Sequence, residues 1–287
     1  LSVGLTGSLS ESNNVPGTND GATIQVGTIL DTSIERTRRF WSWLNTLKFQ
    51  YAQSRTPVLD RFVKSQDQLD IGSIYFWKIY EDKAGIYSRA RASTSVSPGY
   101  LVKPTDSTIS RKHADGSITT ESLSANQELS LTSYLEPLLI AEGVGLFANP
   151  TQTDGLTVRI RLGAGAQEAP NRNGYVLNDD PKTSAIEIRQ LKTSNQVGAE
   201  AEISAEGKVN DKFSWKGKVS WFIPTWTSTK SFQTGFSALQ TDANVGASYK
   251  LSKALSIDWQ ATAKKIPVVL DKWQLTNVLL ITVGYML

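Results

Sequence analysis

A two-residue hydrophobic period runs through almost the whole chain and constrains its fold more than any other feature. In the terminal segment the odd positions read Trp273, Leu275, Asn277, Leu279, Ile281, Val283, Tyr285 and Leu287, with Gln274, Thr276, Thr282 and Gly284 between them. Side chains alternate across a strand, so a period of two marks strands with one apolar face, whereas a helix would repeat near 3.6. The same alternation recurs over 3–9, 24–30, 41–51, 69–79, 84–96, 123–147, 156–164, 197–203, 213–223, 245–251 and 255–261. An all-β chain follows.

The chain end narrows the choice. A polar residue and a glycine (Thr282, Gly284) followed by apolar Tyr285 and Leu287 at alternate positions resemble the C-terminal assembly signal of bacterial outer-membrane β-barrels. The last strand of a soluble sandwich remains the alternative. Links of two kinds separate the segments. Some are tight and polar, at 35–37, 81–83, 149–155, 208–211 and 252–253. Others, at 11–21, 54–65, 98–119, 167–182 and 226–234, are long and rich in Ser, Thr, Asn, Asp, Pro and Gly. Short and long links alternate, as in barrels with short periplasmic turns and long outer loops. The odd-numbered apolar face passes through Pro137, so 121–148 reads as one long strand, with Pro137 at a bulge or local break. The total is then twelve, the even number expected of a bacterial single-chain barrel. This strand and the one over 183–207 exceed the ~9–11 residues that cross a bilayer, and their surplus should project outside.

Composition supports this reading and removes other classes. The 287 residues suffice for a single barrel domain over 1–287. Apolar content of 39% suits strands in which only alternate residues face lipid. No stretch is long and apolar enough for a transmembrane helix. A net charge of +3, with dispersed basic residues, argues against nucleic acid. Cysteine is absent, which removes disulfides and thiolate metal sites. The chain opens at Leu1 without Met, as expected of a mature or trimmed form, from which an export signal could have been removed.

One stretch resembles a known family. Lys78 on a strand is followed by a hairpin, then Tyr87-x-Arg89-x-Arg91 and Ser97-Pro98-Gly99-Tyr100. Later come the 130–137 segment ending in Glu136-Pro137, Gly143-Val144-Gly145 and Asn149-Pro150. This order resembles an uncharacterised family of outer-membrane β-barrel proteins, mostly of Bacteroidota and relatives, over roughly 41–165 and the terminal strand. The resemblance implies a twelve-stranded barrel and says little about activity. Segment 103–120 matches none of its motifs.

If the apolar parity faces lipid, the other parity faces the lumen, and there the sign of charge alternates from strand to strand. Arg89 and Arg91 are followed by Glu128, Glu136 and Glu142, then Arg159 and Arg161, then Glu200, Glu202 and Glu206, then Lys216 and Lys218. Opposite charges on adjacent strands form cross-strand pairs. Arg159 or Arg161 should therefore reach Glu136 or Glu142, in a lumen too laced for wide diffusion. Trp41, Trp43, Trp77, Trp215, Trp221, Trp259 and Trp273 fall on apolar faces as an interfacial girdle, with Trp226 in a loop. Ala84, Ala90, Ala92, Ala199 and Ala201 would allow a partner, or plain lipid, to approach closely.

Catalytic chemistry is not visible. The lone histidine, His113, lies in a polar stretch that reads as a hairpin tip, with no partner to make it a general base. One histidine without cysteine gives no transition-metal set. Asn178-Asp179-Asp180 reads as a solvated turn, and Gly163-Ala164-Gly165 relieves crowding within a strand rather than cradling phosphate. The sequence thus predicts a non-enzymatic barrel in the outer membrane of a diderm bacterium, without catalytic, cofactor or metal residues. Its expected partners are outer-membrane lipid, the barrel-assembly machinery during insertion, and other outer-membrane proteins. Two roles stay open: a structural or accessory subunit of an outer-membrane complex, or a passive porin-like channel for small solutes.

Overall fold

The computed structural model describes residues 2–12, 21–59, 61–180, 182–229, 232–252, 255–267 and 270–286. Twelve strands close into one antiparallel barrel. In chain order these are β1 (Ser2–Ser12), β2 (Gly21–Thr37), β3 (Trp41–Arg55), β4 (Val63–Tyr80) and β5 (Ala84–Thr94), then β10 (Leu139–Gln152) and β11 (Leu156–Ala169). They continue with β14 (Ser194–Lys208), β15 (Phe213–Thr227), β16 (Gln240–Lys250), β17 (Leu255–Ile266) and β18 (Leu270–Met286). Each pairs with its neighbours in this order. The seam is closed by Ser2–Leu5 of β1 against Met286–Val283 of β18, with Val3 opposite Tyr285. Closure removes the exposed edges of an open sheet.

Eleven of the twelve alternating segments of the sequence coincide with these barrel strands, and the twelfth, 123–147, does so only from Leu139. β-Branched and aromatic residues on one parity favour the pleated conformation, and that parity points outward. Leu5, Ile34, Ile71, Trp77, Leu146, Leu162, Leu275 and Leu279 are all at least half exposed. The tight links gather at one end of the barrel and the long ones at the other, as their alternation requires.

Two extended strands of the sequence reading are corrected. Segment 121–148 is not one strand, although the barrel count is unaffected. Its first part belongs to β8 (Ile118–Leu123) and β9 (Glu128–Thr132), and the chain leaves the sheet before Pro137 and re-enters it at Leu139. Segment 183–207 likewise divides into β13 (Ile186–Gln190) and β14. The shared alternation has two sources: β10 and β14 cover the barrel, whereas β8, β9 and β13 cover a second core.

That second core lies among the long connections. β6 (Gly99–Val102) pairs with β9, while β7 (Ser107–Lys112), β8, β12 (Tyr175–Leu177) and β13 form a four-stranded sheet in the order β12-β13-β7-β8. The parallel β13–β7 pair joins two connections far apart in sequence. Ile109, Leu123, Ile186 and Ile188 are buried together, and Leu101, Leu129, Leu131 and Tyr175 pack against them. The loops between β5 and β10 and between β11 and β14 thus fold into a small β-cap. At its foot Lys64 donates to the carbonyls of Ser97 (2.9 Å) and Pro98 (2.8 Å), and Asp67 accepts the backbone N–H groups of Val96 (2.9 Å) and Ser97 (2.8 Å).

Register shifts occur in several barrel strand pairs, and two of them bear on the expected faces. Asn149 and Pro150 fall between the pairs Ala148–Ile160 and Thr151–Val158, a bulge that accommodates a residue with no N–H to donate. Thr225 falls between the pairs Gly198–Pro224 and Val197–Trp226. The extra residue turns Trp226 to the outer face at the end of β15, where it is 53% exposed. Trp226 is therefore a strand residue, not the loop residue expected.

Candidate functional site

The barrel interior gathers the charges that the sequence distributes over many strands. Arg89, Arg91, Arg159, Arg161, Glu200, Glu202, Lys216 and Lys218 all occupy the inward parity of their strands, opposite the outward residues of the same segments. Glu142 and Glu136 do not. On β10 the inward residues are Ala141, Gly143, Gly145, Phe147 and Asn149, while Glu142 shares the outer face with Val144 and Leu146. The orientation of β10 is the reverse of the expectation. Phe147, read as lipid-facing, is buried against Phe76 and Tyr87, with the two phenyl rings edge to face at 4.9 Å. Glu136 lies outside the barrel wall, where it accepts the N–H groups of Arg172 (2.7 Å), Gly174 (3.1 Å) and Ser133 (3.1 Å) and ties the two long connections together. Glu128 pairs at 3.1 Å with Arg61 of the β3–β4 connection.

The expected pairing of Arg159 or Arg161 with Glu136 or Glu142 is accordingly replaced. Arg161 pairs with Glu202, the residue directly across on β14, and its guanidinium lies 5.3 Å from the centre of the Tyr87 ring. Arg159 donates to Asn149 Oδ1 at 3.0 Å and stacks over Phe76 at 4.6 Å. Arg89 reaches Glu200 three strands round the wall, with Nε 3.0 Å from Oε1 and a second contact from Nη2 to Oε2. Tyr87 donates to the same Oε1 at 2.6 Å.

This reach across β10 and β11 depends on glycine. A Cβ at Gly143 would stand 2.2 Å from Glu200 Oε1, one at Gly165 2.6 Å from Oε2, and one at Gly163 2.8 Å from the Tyr87 hydroxyl. Gly143–Gly165 and Gly145–Gly163 are directly paired. The inner wall is thus reduced to bare backbone, and the Tyr87–Arg89–Glu200 cluster lies flat upon it. Relief of crowding, expected for Gly163 and Gly165, is what they provide. The Gly143-Val144-Gly145 segment does the same, a role its spacing opposite Gly163-Ala164-Gly165 could have revealed.

Arg91 extends furthest. It donates to Asp70 on β4 at 2.7 Å (Nη2) and 3.2 Å (Nε), and its Nη1 comes within 3.9 Å of Asp242 on β16, five strands round the barrel. The side chain therefore links opposite walls. Asp70 and Asp242, missed by the sequence reading, occupy inward positions on their strands and could have been found by extending the parity rule to β4 and β16. Lys216 and Lys218 face inward but form no ion pair among the described residues.

Near the short-turn end, Lys78 is 9% exposed, pairs with Asp82 and donates to the carbonyl of Arg38 at 3.3 Å. Trp41, Trp43, Trp77, Trp215 and Trp259 lie on outward positions toward this end, and Trp221, Trp226 and Trp273 toward the other. Trp41 sits directly across from Trp77, and Trp43 across from Tyr75. Of the terminal residues, Leu287 lies outside the described residues, while Thr282, Gly284 and Tyr285 are in the backbone of β18.

His113 stands at the β7–β8 hairpin tip, as expected. Gly116 in the same turn adopts φ +93°, a left-handed conformation natural to glycine. The imidazole Nε2 is 2.9 Å from Thr119 Oγ1, and Nδ1 is 3.0 Å from the Tyr175 hydroxyl, so the ring pins β8 to β12. No group of three or more His, Asp or Glu side chains is placed to hold a metal among the described residues.

No family model matches the chain, and no curated relative matches it. Among solved structures it is similar to the β-domain of the Bordetella autotransporter BrkA, at 8% identity over 99% of this chain and 97% of the other, with a TM-score of 0.38. It is similar to the transport unit of the Escherichia coli autotransporter AIDA-I, at 12% identity over 100% and 88%, with a TM-score of 0.36. The toluene transporter TbuX of Ralstonia pickettii gives 9% identity over 96% and 78%, with a TM-score of 0.32.

Proposed function

We propose that the protein is a non-enzymatic outer-membrane β-barrel of a diderm bacterium, plugged by its own side chains. Its role in this reading is that of a structural or accessory subunit that anchors a folded cap at the cell surface. The outer face supports the membrane placement. Large apolar residues cover the described wall, a surface that would drive aggregation in water and is stable against lipid. Tryptophans toward both ends of the strands then serve as girdles at the two interfaces. The short turns face the periplasm and the cap faces outward. Thr282, Gly284, Tyr285 and Leu287 act as the signal for the assembly machinery, and the family of Bacteroidota-type barrels is the membership this reading favours.

The observation that carries the subunit role is the Arg91 bridge from Asp70 to Asp242, which crosses the lumen above the Arg89–Glu200 cluster. A twelve-stranded barrel is already narrower than porins. The alternative role, a narrow solute channel, draws support from the polar interior and from a cavity at the long-loop mouth. Planar-bilayer recording separates the two. The purified protein should give no steady conductance and should co-purify with other outer-membrane proteins in mild detergent. Steady openings whose size follows salt concentration would overturn the plugged reading. Gel mobility that does not change on heating would count against the barrel in solution.

A further inference from the structure

The cavity of about 380 Å³ at the barrel mouth has walls from several segments, among them Pro267 and Asp271 at the β17–β18 link. The β7–β8 tip supplies Lys112, the exit of β13 supplies Arg189 and Lys192, and the connection between β15 and β16 supplies Phe232 and Gln233. Gln240 and Gln196 form the floor, their amides joined at 2.8 Å. These segments are distant in sequence and meet only because the cap folds over the mouth.

The charges in this cavity do not cancel. Three cations, Lys112, Arg189 and Lys192, line it against two carboxylates; Asp115 accepts from the Ser117 N–H (2.9 Å) and hydroxyl (2.7 Å) within its own turn, and Asp271 pairs with Lys265 at 3.0 Å. Lys112 and Lys192 form no ion pair among the described residues, although both face the cavity. Two lysines lining one concave site, with amides and an aromatic ring beside them, suit a ligand that is anionic at one end and hydroxylated elsewhere.

We propose that this mouth cavity binds a small anionic saccharide, bearing phosphate or carboxylate, with Lys112 and Lys192 holding the charge and Phe232 and Gln233 meeting the sugar. The site does not depend on whether the lumen conducts, so it stands or falls separately from the plugged reading.

Isothermal titration calorimetry on the full chain in detergent tests it, with glucose 6-phosphate, glucuronate, inorganic phosphate and glucose as probes. The two anionic sugars should bind saturably and more tightly than phosphate or glucose, and more weakly as salt rises. Replacing both lysines (Lys112→Ala with Lys192→Ala) should weaken them by about tenfold per lysine. Lys208→Ala with Lys212→Ala, at the opposite end, should leave affinity unchanged. Unchanged heat-dependent gel mobility shows that each variant retains its barrel. No saturable binding, or an unaffected Lys112/Lys192 double variant, would overturn the site. Glucose binding as tightly as the charged sugars would remove the anionic requirement, and phosphate alone matching glucose 6-phosphate would remove the saccharide.

Discussion

At the scale of single residues the interior is governed by what glycine leaves out. Glu200 is 8% exposed and still charged-partnered because Arg89 can cross two strands to meet it. The Glu200 carboxylate lies where Cβ atoms at Gly143 and Gly165 would stand, and Gly145 and Gly163 let β10 and β11 approach closely. Gly145→Ala is the cleanest test, since the new Cβ would stand 2.2 Å from the Leu162 carbonyl oxygen and 2.5 Å from Gly163 Cα. Backbone must move to admit it, and overpacking of this kind costs about 1–3 kcal/mol. Guanidinium unfolding in micelles should show that loss. Gly217→Ala, whose added Cβ has no atom within 4 Å, should change little. The glycines were legible in the sequence as a paired pattern. Relief of crowding was legible too, but not the side chains it serves, because Tyr87 and Glu200 approach from strands on either side.

At the scale of the element, β10 is the instructive case. Its odd positions carry Ala141, Gly143 and Phe147 and its even ones Glu142, Val144 and Leu146, so both faces are mixed and parity alone chooses badly. The neighbours decide: Phe76 and Tyr87 offer an inner aromatic niche for Phe147, and Glu200 occupies the space above Gly143. Phe147→Ala should therefore cost about 3–5 kcal/mol, as a buried aromatic does, whereas Glu142→Leu should fold as well as the parent. The reverse ranking in denaturation of the two variants would restore the original orientation. On β13 the matter is charge. Glu187 is held below its usual carboxylate range by the backbone N–H of Asp180 and then by the Thr183 hydroxyl. A depressed folded-state value stabilises the turn above the unfolded value and loses that contribution as pH falls through the folded one. The Glu187 carboxyl resonance should titrate at lower pH than in the unfolded chain, and Glu187→Gln should make the order of residues 182–187 insensitive to acid. A Glu187 that titrates like a free side chain would refute this.

At the scale of the whole molecule there are two cores with opposite logic. The barrel turns its apolar residues outward and its charges inward, whereas the cap buries Ile109 and Ile188 completely. Because the cap has its own core, damage there should not spread. Ile188→Asp should open residues 99–132 and 175–190 to trypsin while the unheated gel mobility of the barrel persists. Loss of both together would mean that cap and barrel fold as one cooperative unit. The amino-acid sequence by itself determined the barrel: a period of two survives in the strands, β10 with its mixed faces excepted, because each must present one face to each environment, and alternating short and long links determine which ends meet. It also placed most of the lumen charges, since parity is a local property. Which charges pair, which way β10 faces, and where Leu123, Leu129 and Leu131 are buried were decided only by the closed structure. Those depend on contacts between strands that are neighbours in the ring or across it, and on two loops whose alternation mimics a membrane strand until a second core claims it.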